Sequence, residues 1–297
     1  MQKLVDKMNL TSEIIKELRE KSGAGMMDCK KALGESGGDV EKAIEWLRKK
    51  GINTAQKKSS RLASDGLITV QIDEDKGIII EVNAETDFVA RNENFQKFCD
   101  DLASIGLKND VENVESLLKC EFLDSNQTVQ ENLTNLISKL GENIVIRRLE
   151  YINEKSGFLE RYLHNSINLN SGKIGVLLSF KSNHKNQDVT DFSKNICMHI
   201  AATDPKSINI ENLNKDIVDK ERSIYIEQLK SSKKSEEIIE KIVNGKIQKF
   251  YQEVCLLEQT FVMDNKTKVN ECITAFNKEN NEIFEINNYV VFKLGQE

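Results

Sequence analysis

Gly77-Ile78-Ile79-Ile80-Glu81-Val82-Asn83-Ala84-Glu85-Thr86-Asp87-Phe88-Val89-Ala90-Arg91-Asn92-Glu93-Asn94-Phe95-Gln96-Lys97-Phe98-Cys99-Asp100-Asp101-Leu102 holds two different periodicities and the join between them. Its first six residues open on a glycine and are β-branched and apolar apart from Glu81, the pattern of a strand buried on at least one face. Phe95, Phe98, Cys99 and Leu102 recur at i, i+3, i+4 and i+7, which makes residues 92–102 a helix that Asn92 is placed to cap. Phe88 and Val89 lie between, apolar yet outside both repeats. Spacing leaves two readings of Phe88 open: a lid folded back on the sheet, or a ring presented outward from a strand-to-helix connection.

Around this stretch, 297 residues suffice for two or more domains, each with a core. A hydrophobic fraction of 39% beside 30% charged residues is that of an ordinary soluble protein. No apolar run approaches the roughly 18–20 residues of a membrane span. Residues 1–10 read as neither a secretion signal nor a transit peptide, which predicts a cytoplasmic protein with no membrane partner. Net charge of −6 and a pI near 5.4 point away from a direct nucleic-acid partner. Cys29, Cys99, Cys120, Cys197, Cys255 and Cys272 are scattered without a C-x-x-C pair and read as reduced core residues.

Upstream, residues 11–51 read as three short helices. Thr11 is placed to cap the first, which carries Ile14, Ile15 and Leu18 and stops at Gly23. Met26, Cys29, Ala32 and Leu33 stripe the second, closed by Gly34 and Gly37-Gly38. Asp39 caps the third, striped by Val40, Ala43, Ile44 and Leu47 and ended by Gly51. Met27 and Trp46 miss these stripes by roughly 100° and 120°. They are either half-buried at the bundle's edges or part of a small apolar contact surface rimmed by lysines. Ala55–Arg61 reads as a polar linker, leading to a strand at 67–72.

Downstream, helices are expected at 111–118 and 129–140, and a strand at 144–152. Tyr162-Leu163-His164, the polar loop Asn165–Gly172, a strand over 173–180 and a helix over 189–202 then repeat the strand-pair, loop and helix order of 67–102. Residues 209–245 are charged and lack strand signals; they read as an antiparallel pair of helices joined near Ser231-Ser232. Strand-like segments at 260–263 and 288–293 flank a helix at 269–276. The expected fold class is α+β: a three-helix bundle (1–57), then two related α+β subdomains with antiparallel sheets (58–142; 143–207 with 247–297). The second carries an inserted helical hairpin (208–246).

Catalytic signatures are missing from the sequence. There is no phosphate loop, no dinucleotide fingerprint around Gly23-Ala24-Gly25, and no H-E-x-x-H. Cys197 and His199 are two apart on a helix and point away from each other, so core packing outweighs a thiol enzyme. His164 and His184 stand alone. Nothing in the sequence supports catalysis, and neither enzyme activity nor a metal or cofactor is expected.

Several ordered stretches together resemble a known family: Lys16-Glu17-Leu18-Arg19, Ser22-Gly23-Ala24-Gly25-Met26-Met27-Asp28-Cys29-Lys30-Lys31-Ala32-Leu33 and Gly38-Asp39-Val40-Glu41-Lys42-Ala43-Ile44-Glu45. They continue through Glu81-Val82-Asn83, Thr86-Asp87-Phe88-Val89-Ala90, Gly141-Glu142-Asn143-Ile144, Ile174-Gly175-Val176-Leu177 and Met198-His199-Ile200-Ala201-Ala202. From about Leu10 to Gly295 the chain resembles the bacterial elongation factor Ts family, guanine-nucleotide exchange factors of elongation factor Tu. The resemblance implies a UBA-like N-terminal bundle on the partner's G domain and a two-part core reaching its G domain and third domain. It also implies a helical hairpin at 209–245 used for homodimerisation in some relatives. Thr86, Asp87, Phe88 and Val89 match the loop that intrudes near the partner's magnesium site. Met26 and Met27 match N-terminal contact residues with Arg19 on the same surface, and His164 matches a histidine near the third domain. Two departures stand out: the chain stops at Glu297, where some relatives continue into a helical module, and the 165–172 loop is longer and richer in Asn. The rival reading is a UBA-like module for ubiquitin or nascent chains without exchange activity, which leaves the Phe88 loop without a role.

Overall fold

A computed structural model describes residues 12–123, 125–230 and 235–296. The proposed Thr11 cap and the Ser231-Ser232 joint lie outside the described residues. Helices α1 (Ser12–Ser22), α2 (Met26–Glu35) and α3 (Val40–Lys58) enclose Leu18, Cys29, Ala32, Leu33 and Ala43, all without solvent exposure. Asp39 caps α3 by accepting from the Lys42 amide at 3.1 Å, and that bond holds its carboxyl below the usual value. Two expectations fail here. Met26 is 60% exposed rather than part of the α2 stripe, because Ala24 from the preceding turn packs into that end of the small core. Gly51 does not end α3; it is buried within it, with Thr134 and Ser138 at 3.7 and 3.9 Å from where a Cβ would stand. Most of the expected linker is therefore helix.

Strands β1 (Asp65–Asp73) and β2 (Lys76–Ala84) form an unbroken antiparallel hairpin. A single turn, α4 (Asp87–Ala90), leads into α5 (Glu93–Lys108), which Asn92 caps by accepting from the Asn94 amide at 2.9 Å. Helices α6 (Val114–Lys119) and α7 (Val129–Leu140) follow, then β3 (Ile144–Asn153). Assigned from sequence to the second subdomain, β3 instead pairs with β2. Its apolar residues Ile144, Ile146 and Leu149 face the first core, and pairing closes the open edge of β2, satisfying a row of backbone donors and acceptors. That core joins Leu67, Ile78, Ile80 and Val82 to Phe95, Phe98 and Leu102 of α5.

The second unit begins at β4 (Phe158–His164). A two-residue strand, β5 (Ser171–Gly172), returns to the edge of β1 and completes the order β3-β2-β1-β5. Strand β6 (Ile174–Lys181) pairs with β4, and α8 (Gln187–Thr203) covers them. Helices α9 (Lys215–Leu229) and α10 (Glu236–Val254) pack on each other; α10 runs on past residue 246 before α11 (Val269–Asn280) and β7 (Glu285–Lys293). Strand β7 takes the far edge of β6, giving β4-β6-β7. No strand forms at 260–263: Phe261 enters the second core from a turn, and only Thr260 makes an isolated bridge, to Lys268.

The two sheets meet face to face through Ile68, Val70, Ile79, Leu177 and Phe292. Glu81, fully buried, ties their ends together. It accepts from Arg148 Nε at 2.7 Å, Asn83 Nδ2 at 3.0 Å and the Gly295 amide at 3.0 Å, while Arg148 stacks 4.2 Å over the Phe292 ring.

Candidate functional site

The polypeptide leaves β2 at Ala84 and makes one helical turn before α5. Successive residues of a helix point about 100° apart, so the four side chains of α4 cannot share a face. Val89 and Ala90 are the apolar pair the first core takes in, at 7% and 0% exposure. Phe88 is thereby turned outward and is 81% exposed. The lid reading is thus overturned: Val89, not Phe88, folds onto the sheet. Asp87 is half-exposed, its Oδ2 3.3 Å from Arg91.

A second segment holds this turn in place. Thr86 occupies the cap position of α4, yet its side chain makes no cap bond. Instead its amide donates to Glu142 Oε2 at 3.0 Å and its hydroxyl to Glu142 Oε1 at 2.7 Å. In the opposite direction, Glu85 Oε1 accepts from the Asn143 amide at 2.6 Å and lies 3.5 Å from Arg61. The buried Asn143 side chain donates to the Arg61 carbonyl at 2.8 Å. Two carboxylates therefore cross between the β2–α4 and α7–β3 junctions. Gly141, which ends α7 with φ of 79°, turns the chain so that Glu142 can reach. Sequence reading noted Gly141-Glu142-Asn143 only as a matching motif; nothing in its spacing ties it to residues 85 and 86, some 56 positions upstream.

The other expected site residues lie on different elements. Met27 is 76% exposed beside Met26 on α2, and Arg19 is exposed on α1. Trp46 is half-buried, with Lys31 and Lys50 ammonium groups 5.9 and 5.7 Å from its ring centre. His164 is exposed at the end of β4, its Nδ1 3.1 Å from the Tyr162 hydroxyl. The loop after it is pinned: Asn168 accepts from the amides of Asn170 and Ser171 at 2.9 and 2.8 Å and donates to Gln96 of α5 at 3.2 Å. Gln96 also reaches the Ala90 carbonyl at 3.5 Å, so this loop and the Phe88 turn share one attachment. Leu62 and Leu169, which sequence reading missed, are 83% and 82% exposed.

The chemistry of the remaining polar groups is quiet. Burial pushes the thiols of Cys99 and Cys197 well up, away from the reactive thiolate. Among the described residues no group of three or more His, Cys, Asp or Glu is placed to hold a metal ion, and no helix is long and apolar enough to cross a membrane. What the molecule offers is a braced aromatic ring and separate apolar surface patches.

The family model described as elongation factor TS matches residues 85–296. Elongation factor Ts of Clostridium botulinum (strain Eklund 17B) is 44% identical over 289 residues, covering 97% of this chain and 93% of that protein. The Rhodospirillum centenum protein of that name is 42% identical over 287 residues (97% and 93% of the two chains), and that of Magnetococcus marinus 40% over 289 residues (97% and 94%). With a matching model over most of its length and relatives of this similarity end to end, the chain belongs to the elongation factor Ts family, translation elongation factors.

Proposed function

We propose that the chain is the guanine-nucleotide exchange factor of a bacterial elongation factor Tu, acting in the cytoplasm, and that Phe88 is its wedge. The observation that carries this reading is the 81% exposure of Phe88 on a turn fixed from both sides. Magnesium demands near-octahedral ligands at about 2.0–2.1 Å, so a small shift of its surroundings weakens it and the phosphates it bridges. Burying a phenylalanine ring releases about 1.5–3 kcal/mol. Spent on displacing the metal-binding elements, that is a factor of about ten to a hundred in nucleotide affinity. Asp87 engages polar groups beside the ring. Because coupling is reciprocal, a factor that weakens GDP is itself weakened by nucleotide, and the incoming GTP ejects it.

Met26, Met27 and Arg19 on the bundle and His164 on β4 supply the remaining grip, which makes the wedge act intramolecularly at high effective concentration. Thr86 and Val89 serve as fixings of the turn. Helices α9 and α10, with Ile217, Ile224 and Ile238 between 41% and 49% exposed, are the surface for a second copy of the chain. The test is stopped-flow release of labelled GDP from elongation factor Tu. Wild-type protein accelerates release, and Phe88→Ala retains its fold and slows that release at least tenfold. Equal rates for the two would remove Phe88 from the mechanism.

A further inference from the structure

We infer that Glu142 is the positioning residue of the Phe88 turn: it touches neither ring nor nucleotide, but is the mount against which the wedge pushes. The inference rests on the exchange reading above. A single helical turn is not self-sustaining, because nucleation fixes several residues for one hydrogen bond. In α4 the ordinary local remedy, a side-chain cap, is absent. Both groups of Thr86 able to donate go to one carboxylate 56 positions away, at 3.0 and 2.7 Å, and bonds to a charged acceptor are the stronger kind.

The mount is itself rigid. Glu142 stands between Gly141, whose carbonyl receives the Lys58 ammonium, and Asn143, which is buried and bonded through its amide to Glu85 and through its side chain to the Arg61 carbonyl. Val89 anchors the far side of the turn in the first core. A ring pressed into another protein meets an equal reaction force. If its own backbone yields first, binding energy goes into bending the turn and the partner's metal site stays intact. The clamp therefore governs the maximal rate of exchange and leaves the affinity of the complex to the other surfaces.

The experiment measures GDP release across a range of factor concentrations for wild type, Glu142→Ala, Glu142→Gln, Phe88→Ala and the Glu142→Ala/Phe88→Ala double variant. Glu142→Ala lowers the maximal rate at least fivefold and shifts the half-maximal concentration less than twofold. Glu142→Gln retains at least half the maximal rate, because its carbonyl accepts from the Thr86 amide while its NH2 donates to the Thr86 hydroxyl. The double variant is no slower than Phe88→Ala alone, since a mount without a wedge has nothing to transmit. Amide exchange over residues 87–90 is faster in Glu142→Ala than in wild type. Should Glu142→Ala unfold, Thr86→Val, which removes one of the two bonds, carries the same rate comparison. A wild-type maximal rate in Glu142→Ala overturns the inference, as does Glu142→Gln behaving like Glu142→Ala, or losses that multiply in the double variant. If wild-type protein itself leaves GDP release unchanged, the exchange reading falls first; if Phe88→Ala is slow and Glu142→Ala is not, only the clamp falls.

Discussion

At position 199 a fully buried imidazole is kept neutral by its neighbours. The Val262 amide donates to Nδ1 at 3.3 Å, so the proton sits on Nε2 and is donated to Gln259 Oε1 at 2.9 Å; Gln259 is in turn fixed by donating to the Glu253 carbonyl at 2.7 Å. Burial lowers the His199 pKa below its ordinary value of 6.5. A second proton would face the Val262 N–H, donor against donor. Below about pH 6.5 the unfolded chain holds the extra proton and the folded one does not, so this contribution to stability is complete above that pH and is lost as pH falls through the lowered folded value. We expect the melting temperature of wild type to fall more steeply between pH 7 and 5.5 than that of His199→Gln; parallel curves would show that the site does not titrate. Phe88 and Val89 show why single residues resist reading from sequence. Both are apolar and adjacent, and their roles differ only because a one-turn helix points one at the core and the other at solvent.

At the scale of elements, the third helix is instructive. A glycine in a helix interior costs about 0.5–1 kcal/mol relative to alanine, which is why position 51 reads as a stop. In the folded chain α3 continues seven residues beyond it, because that glycine lies against α7 and the residues that follow extend the packed helix. The space there is not fully used: a Cβ would make ordinary contacts at 3.7 and 3.9 Å. Gly51→Ala should therefore stabilise the protein by about 0.5–1 kcal/mol and raise its melting temperature; a drop would mean that the added methyl crowds Thr134 and Ser138 of α7. The two helices on the first sheet, by contrast, were legible from sequence: one was read as 92–102 from its Asn92 cap and apolar stripe and runs on to Lys108, and the other was read as 129–140, where the structure adds a Thr128–Glu131 capping box at its start. Segment 260–263 misled for the opposite reason. Four residues of strand-like composition carry no edge to pair with, and Phe261 is buried from a turn.

Across the whole molecule the two α+β units use the same parts in the same order: a strand pair, a helix on it, a later helix, and a third strand on the far edge of the central one. Both central strands carry glycine at their second position, Gly77 in β2 and Gly175 in β6, and both glycines lie where the sheets press together. A Cβ at 175 would sit 2.6 Å from Ile68 Cγ2 and 2.8 Å from Val70 Cγ2, methyls on β-branched side chains with little freedom. At 77 it would meet Leu177 Cδ1 at 2.8 Å and Leu159 Cδ1 at 3.1 Å, the movable tips of leucines. Gly175→Ala should thus cost about 1–3 kcal/mol by forcing the sheets apart, and Gly77→Ala clearly less. Thermal melts of the two variants decide this, and an equal or reversed order would place the tight contact elsewhere.

The α+β class, the doubled strand-pair-and-helix pattern, most helix starts and the location of the Phe88 turn followed from the sequence alone, because periodicity, caps and β-branched runs act within a few residues of one another. Tertiary structure decided the rest: that Phe88 faces out while Val89 anchors, that β3 belongs to the first sheet, that α3 passes through its glycine, and that Glu142 reaches Thr86. Each of these depends on groups tens of residues apart meeting only after the chain has packed, and no local spacing encodes which distant backbone edge, cavity or carboxylate will be there.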